Sequence, residues 1–112
     1  MNIRVSEFVD KDDRVEFSFI NFDYIDGSDA IAKILHKKCG VIVGEKFDGI
    51  YYSVIPLSDG EYKHKLVWHE DVGNYVYSED QSDESVARLR ELAGIAVAEI
   101  NDKIEKAEAK QT

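Results

Sequence analysis

Residues 40–78, GVIVGEKFDGIYYSVIPLSDGEYKHKLVWHEDVGNYVYS, carry two Asp-Gly pairs, Asp48-Gly49 and Asp59-Gly60. Four runs rich in β-branched and aromatic residues surround them, at 41–43, 50–57, 62–69 and 75–77. Short runs of this kind punctuated by Asp-Gly predict an antiparallel meander. Pro56 falls near the end of the second run. It cannot donate a ladder hydrogen bond, so that end is expected at an edge or a bulge. In the third run Tyr62, His64, Leu66 and Trp68 share one face, and Lys63, Lys65, Val67 and His69 share the other. The first set is the better core face.

Upstream, 2–9 alternates loosely and suits a strand, and 10–13 is a polar turn. Residues 14–25 form the most apolar strand candidate. Val15, Phe17 and Phe19 lie on one face of it, and Ile20, Phe22 and Tyr24 on the other. The change of face near Ile20 predicts a bulge, or a central strand buried on both sides. Asp26-Gly27 ends the strand. Ser28 suits an N-cap, and Ala30, Ile31, Ile34 and Leu35 make a helical stripe, with lysines and Gly40 at its end. A helix is expected over 29–38.

Downstream, Ser82 suits the cap of a second helix at 83–108, with Asp83 and Glu84 in its first turn. Val86, Leu89, Ala93, Ile100 and Ile104 recur at helical spacing. Glu84–Arg88, Glu99–Lys103 and Asp102–Lys106 are i,i+4 pairs in the favourable order. Gly94, mid-helix, costs about 1 kcal/mol against Ala unless a close neighbour requires it. Such a helix spans roughly 37 Å against about 26 Å for an eight-residue strand. It overhangs its sheet, and the overhang is a candidate contact for a homodimer. The whole chain, 1–112, is thus expected to form a single α+β domain. Its order is β-β-α-β-β-β-β-α, an antiparallel sheet of five to six strands with the long C-terminal helix on one face.

The chain has 112 residues, and 23 acids face 14 bases for a formal charge of −9. Between Glu70 and Glu84 there are six acids and no Lys or Arg. A surface of this sign repels nucleic acid and anionic lipid and attracts basic partners. No apolar run approaches the ~20 residues of a membrane span, and residues 1–4 lack a signal-peptide pattern. With Cys39 as the lone cysteine, a cytoplasmic location is expected.

No catalytic or metal constellation is legible. Cys39 sits at an expected helix C-terminus, where the helix dipole opposes a thiolate. His64 and His69 point to opposite faces of one strand, and His36 has no ligand spacing to either. Asp10, Asp12 and Asp13 lack the Gly and distal Glu of a calcium loop. No cofactor is therefore expected, and no enzymatic activity.

The aromatic residues carry more. Phe47, Tyr51, Tyr52, Tyr62, Trp68, Tyr75 and Tyr77 all fall in the meander. Tyr51 and Tyr52 are adjacent, so one lies outside the core; Tyr75 and Tyr77 likewise oppose Val76. Tyrosines beside carboxylates make protein-binding anchors. The expected partner-binding set is Glu70, Asp71, Tyr75, Tyr77, Glu79 and Asp80. In size, acidity and single-sheet design the chain resembles immunity proteins that neutralise secreted bacterial toxins. That resemblance, of composition and size, implies an inhibitor docking on a basic partner such as a nuclease. Two alternatives are a ligand-binding or enzymatic pocket between helices and sheet, using His64, Tyr62 and Trp68, and a dimeric acidic secretion chaperone.

Overall fold

The structure, a computed structural model, describes residues 2–110. Seven strands and two helices follow in the order β1 (Arg4–Val9), β2 (Val15–Ile20), α1 (Gly27–Cys39), β3 (Ile42–Val43), β4 (Phe47–Asp48), β5 (Tyr52–Asp59), β6 (Tyr62–His69), β7 (Gly73–Ser78) and α2 (Asp83–Lys110). The α+β class and the antiparallel sheet agree with the sequence reading. The additional strand is β4, two residues where only the approach to a turn was expected. The sheet order is β1-β2-β7-β6-β5-β3, with β4 also on the outer edge of β5. No helix among the described residues is long and apolar enough to cross a membrane.

Pro56 explains why that outer edge is broken in two. β3 pairs with Leu57 and Ser58, and β4 with Ser53 and Val54. Between them the chain bows around Pro56, and the Gly44 N–H donates to the Pro56 carbonyl at 2.8 Å. A proline here has no N–H to hold a continuous neighbour. At the opposite hairpin, β5 and β6 are joined by Gly60-Glu61, with Gly60 at φ 61°. Glycine is favoured at such a left-handed loop position.

The strand expected over 14–25 stops at Ile20. Asn21 takes φ 68°, a left-handed conformation that Asn tolerates, and it turns the chain out of the sheet. Phe22 and Tyr24 therefore lie in the connection to α1. Two side chains hold that connection down. The Asn74 amide donates to the carbonyls of Phe22 and Tyr24, and the Trp68 indole donates to that of Asp23. Within β2, Glu16 to Phe19 are all buried, Phe17 and Phe19 in the core and Glu16 and Ser18 on the opposite face.

The helix expected at 29–38 begins two residues earlier. Its N-cap is Asp26, without a side-chain cap bond, and Ser28 is buried in the first turn. Its end is as expected: Gly40 is left-handed at φ 71°, and the Gly40 and Val41 N–H groups return to His36 and Leu35. In α2, Ser82 caps as expected, its hydroxyl accepting from the Ser85 N–H at 3.2 Å. Of the three expected intrahelical pairs, Asp102–Lys106 forms at 3.0 Å. Arg88 instead reaches Asp59 on β5 at 2.6 Å, and Glu99 meets Lys38 of α1 at 3.0 Å. Tertiary neighbours offered these side chains partners that the helix surface alone does not.

Both helices lie on one face of the sheet, α1 over β3, β5 and β6, and α2 over β1, β2 and β7. The core between the layers centres on Phe17, Phe19, Leu66 and Val76 from the sheet and Ile31, Leu35, Leu89 and Leu92 from the helices. Asn101 fastens α2 to the chain's beginning. Its amide donates to the Ile3 carbonyl at 2.9 Å and accepts from the Ile3 N–H at 2.8 Å, as a paired strand would. Ile104 is the last α2 side chain against the core, and 105–110 are exposed.

Gly94 has no close neighbour: a Cβ built there meets nothing within 4 Å. The close approach that would have required glycine is absent. Gly94→Ala is therefore expected to raise stability by about 0.5–1 kcal/mol in urea denaturation. Asn101→Ala strands the Ile3 backbone groups and should lower it by about 1–3 kcal/mol in the same measurement.

Candidate functional site

With both helices on one side, neither helix covers the other side of the sheet, although Glu16, Ser18 and Val67 there are buried among their neighbours. Strand alternation assigns its residues: Phe8 from β1, Glu16 and Ser18 from β2, Tyr75 and Tyr77 from β7, Lys65 and Val67 from β6, Tyr52 and Val54 from β5, and Phe47 from β4. Tyr75 and Tyr77 are brought together as expected, outside the core and opposite buried Val76. Their rings stack with centroids 6.4 Å apart. Burial pushes the Tyr75 phenol up, and Glu16 adds to the shift, so it stays neutral at physiological pH.

The pair is already partly covered by its own chain. The Arg14 guanidinium lies 3.8 Å over the Tyr77 ring and pairs with buried Glu16 at 2.7 Å. Both tyrosines are half-buried. The four expected carboxylates do not join them in one patch. Glu70 and Asp71 sit in the turn before β7, and Glu79 and Asp80 follow its far end, on the order of 20 Å away. Glu79 is engaged by Lys65 at 3.2 Å. Asp80 shapes the entry to α2, accepting from the Ser82 N–H and hydroxyl at 3.0 Å each.

A different cluster gathers at the Glu70–Asp71 end. The segment 49–51 was expected to enter its strand at Ile50, but pairing with β6 begins at Tyr52. Ile50 and Tyr51 consequently stand in the turn, 87% and 61% exposed, beside Phe47 at 58%. The Phe47 and Tyr52 rings meet at 5.9 Å, and Gly49 lies so close under Tyr52 that any side chain there would strike the ring. The Glu70 N–H donates to the Tyr51 carbonyl at 2.9 Å, which draws the β6–β7 turn and exposed Val72 alongside. The outcome is an apolar corner of Phe47, Ile50, Tyr51, Tyr52 and Val72, flanked by Asp48, Glu70 and Asp71. Sequence reasoning placed Phe47, Tyr51 and Tyr52 in the meander but did not single out this corner. One signal was present: apolar residues directly after Asp48-Gly49, where a turn ordinarily carries polar ones.

The residues of the pocket alternative are committed elsewhere. His64 is 1% exposed under α2, its Nδ1 2.8 Å from the Ser78 hydroxyl. Trp68 gives its N–H to Asp23, as described above. Burial pushes the His64 pKa down, with Arg88 adding to the shift and Asp59 and Glu79 opposing it. Among the described residues no three His, Cys, Asp or Glu side chains gather as a metal site requires. Asp10 serves its turn, accepting from the N–H groups of Asp12 and Arg14. Cys39 is half-buried against the core at the end of α1.

No protein-family model matches the chain, and neither curated proteins nor solved structures give a match.

A neutral native His64 has a definite pH signature. The unfolded chain binds its proton below about 6.5 while the folded chain resists it, so stability is whole above that value and falls as pH drops beneath it. Denaturation midpoints between pH 7.5 and 5 should decline for the native chain, with a visibly shallower decline for His64→Gln. Equal slopes would mean that His64 does not contribute.

Proposed function

We propose that this chain is a non-catalytic binding module that docks a basic protein through the apolar corner at the Glu70–Asp71 end of its sheet. The observation that carries the reading is the exposure of Phe47, Ile50 and Tyr51 together, beside Asp48, Glu70 and Asp71. Leaving three large apolar side chains exposed within one five-residue stretch forgoes burial worth ~1.5–3 kcal/mol for each aliphatic or aromatic group. Contiguous apolar patches rimmed by charge are characteristic of partner-binding surfaces. The aromatic rings would supply the buried anchors, and the carboxylates would steer a positive surface towards them.

This keeps Glu70 and Asp71 from the expected partner-binding set and gives the anchoring role to Phe47 and Tyr51. Tyr75 and Tyr77 would extend the contact across the open face, and Glu79 and Asp80 lie outside it. An inhibitor of a basic enzyme, such as a toxin nuclease, remains the partner class that the charge of −9 favours. The reading puts the chain in a cytoplasmic setting.

A photo-crosslinking residue at Tyr51 would identify the partner in the source cells, and the purified pair can then be measured. Phe47→Ser with Ile50→Ser should weaken binding by roughly 2 kcal/mol or more while lowering stability far less, since Ile50 is 87% exposed and Phe47 gives up only its contact with Tyr52. Reversing Glu70 and Asp71 to Lys should slow association, most clearly at low salt, while reversing Glu79 and Asp80 should leave the rate nearly unchanged. Failure of Tyr51 to crosslink any partner, or equal effects of the two reversals, would remove the proposal.

A further inference from the structure

On the helix side of the molecule, away from the apolar corner, α1 and the last third of α2 diverge and leave a groove of about 560 Å³. Its floor is apolar: Phe22 from the loop before α1, Ile34 from α1, and Ile100 and Ile104 from α2. Its rim is basic. Lys33, Lys37 and Lys38 approach from α1 and Lys103 from α2, four of the chain's fourteen Lys and Arg residues, against the single carboxylate of Glu99. Glu99 is taken by Lys38 at 3.0 Å. Among the described residues Lys33, Lys37 and Lys103 have no carboxylate within ion-pair distance.

That concentration runs against the rest of the molecule. The chain is acidic, and half of its cations are tied to carboxylates, among them Arg14 to Glu16, Arg88 to Asp59, Arg90 to Glu7, Lys65 to Glu79 and Lys46 to Asp29. Three unpaired ammonium groups around one apolar trough are complementary to a ligand with a greasy body and a negative head. The volume falls within the ~300–1,000 Å³ usual for small-molecule sites. Lysine stems can line apolar surface while their heads stay at the water boundary, which places the positive charge at the mouth and not on the floor.

We infer that this groove binds a long-chain carboxylate, with its acyl chain along Phe22, Ile34, Ile100 and Ile104 and its head group held by Lys33, Lys37 and Lys103. The carboxylate gains charge-assisted hydrogen bonds from ammonium donors, and the chain covers apolar surface at the α1–α2 divergence. No bond is made or broken.

The test is titration of the whole chain with dodecanoate below its critical micelle concentration, followed by calorimetry, with dodecyltrimethylammonium as the cationic counterpart. Saturable binding of one dodecanoate is expected, with no comparable binding of the cation. Lys37→Glu with Lys103→Glu should weaken it about tenfold or more, because an attraction at the mouth becomes a repulsion. Ala107→Trp, at an exposed position on the groove wall, should block it while circular dichroism shows the fold intact. Absence of saturable binding, equal binding of the cation, or affinity untouched by both variants would overturn the inference. So would a dimer in sedimentation that Ala107→Trp dissociates, since a second copy would then be the natural occupant. Tyr51 crosslinking is independent of these outcomes, so the two proposals fail separately.

Discussion

The structure depends on one seam. β1 and β2 form a hairpin at the start of the chain, and β5, β6 and β7 a meander near its end. Only three registered positions join them: Glu16 to Tyr77, Phe17 to Val76 and Ser18 to Tyr75. Almost sixty residues lie between the two sides, so no local turn can hold this pairing, and its loop-closure entropy must be offset by burial. Phe17 and Val76 are each 1% exposed at its centre. α2 lies over β7, β2 and β1 and so straddles the seam, clamped at its far end by Asn101 on Ile3.

The seam also dictates where the helices go. β2 is bounded by β1 and β7, so the chain leaving it must cross to β3 at the opposite edge. α1 makes that crossing on the helix face, over β6 and β5. α2 leaves from β7 in the middle of the sheet and returns over the N-terminal hairpin. The two helices therefore share one face and use up its apolar residues. The other face is left to Arg14, Glu16 and the tyrosine pair, which cover part of one another, and to the corner at Phe47 and Ile50, which nothing covers. Its openness is a consequence of connectivity, since both helices are drawn to the opposite face.

Buried polar groups mark where α2 meets the sheet. His64, Ser78 and Ser85 lie together beneath the first turns of the helix, with the Ser78 hydroxyl donating to the Ser85 carbonyl at 3.4 Å and lying 2.8 Å from His64 Nδ1. Asp59 and Arg88 close the rim of that region. The Ser78 hydroxyl ties the helix to the sheet at one defined position, because a shifted register would break its bond to the Ser85 carbonyl. Along α2 the contacts then change in kind, from this polar anchor, to Leu89 and Leu92 in the core, to the divergence from α1 that opens the lysine-rimmed groove.

Local periodicity was enough for much of this. The meander, the two helices, the stop of the first at Gly40 and the start of the second at Ser82 follow from turn chemistry, capping and spacing that neighbouring residues impose on one another. The shared face of Tyr75 and Tyr77, opposite Val76, follows from the two-residue period of a strand, whereas Tyr51 and Tyr52 are both exposed because the strand begins only at Tyr52. What periodicity could not supply was which strands adjoin. The length of the extended strand β7 holds Glu79 and Asp80 far from Glu70 and Asp71, although a stretch of fifteen residues contains all four. Strand entry at Tyr52 instead of Ile50 was set by the partner strand β6, and it alone turned two apolar residues outward. Glu99 took Lys38 across the fold in place of Lys103, and Arg88 took Asp59 together with Glu91 in place of Glu84. Charge and amphipathicity belong to the sequence because they are properties of individual residues and their spacing; patches and grooves belong to the tertiary structure because they are properties of distance between segments that the chain order keeps apart.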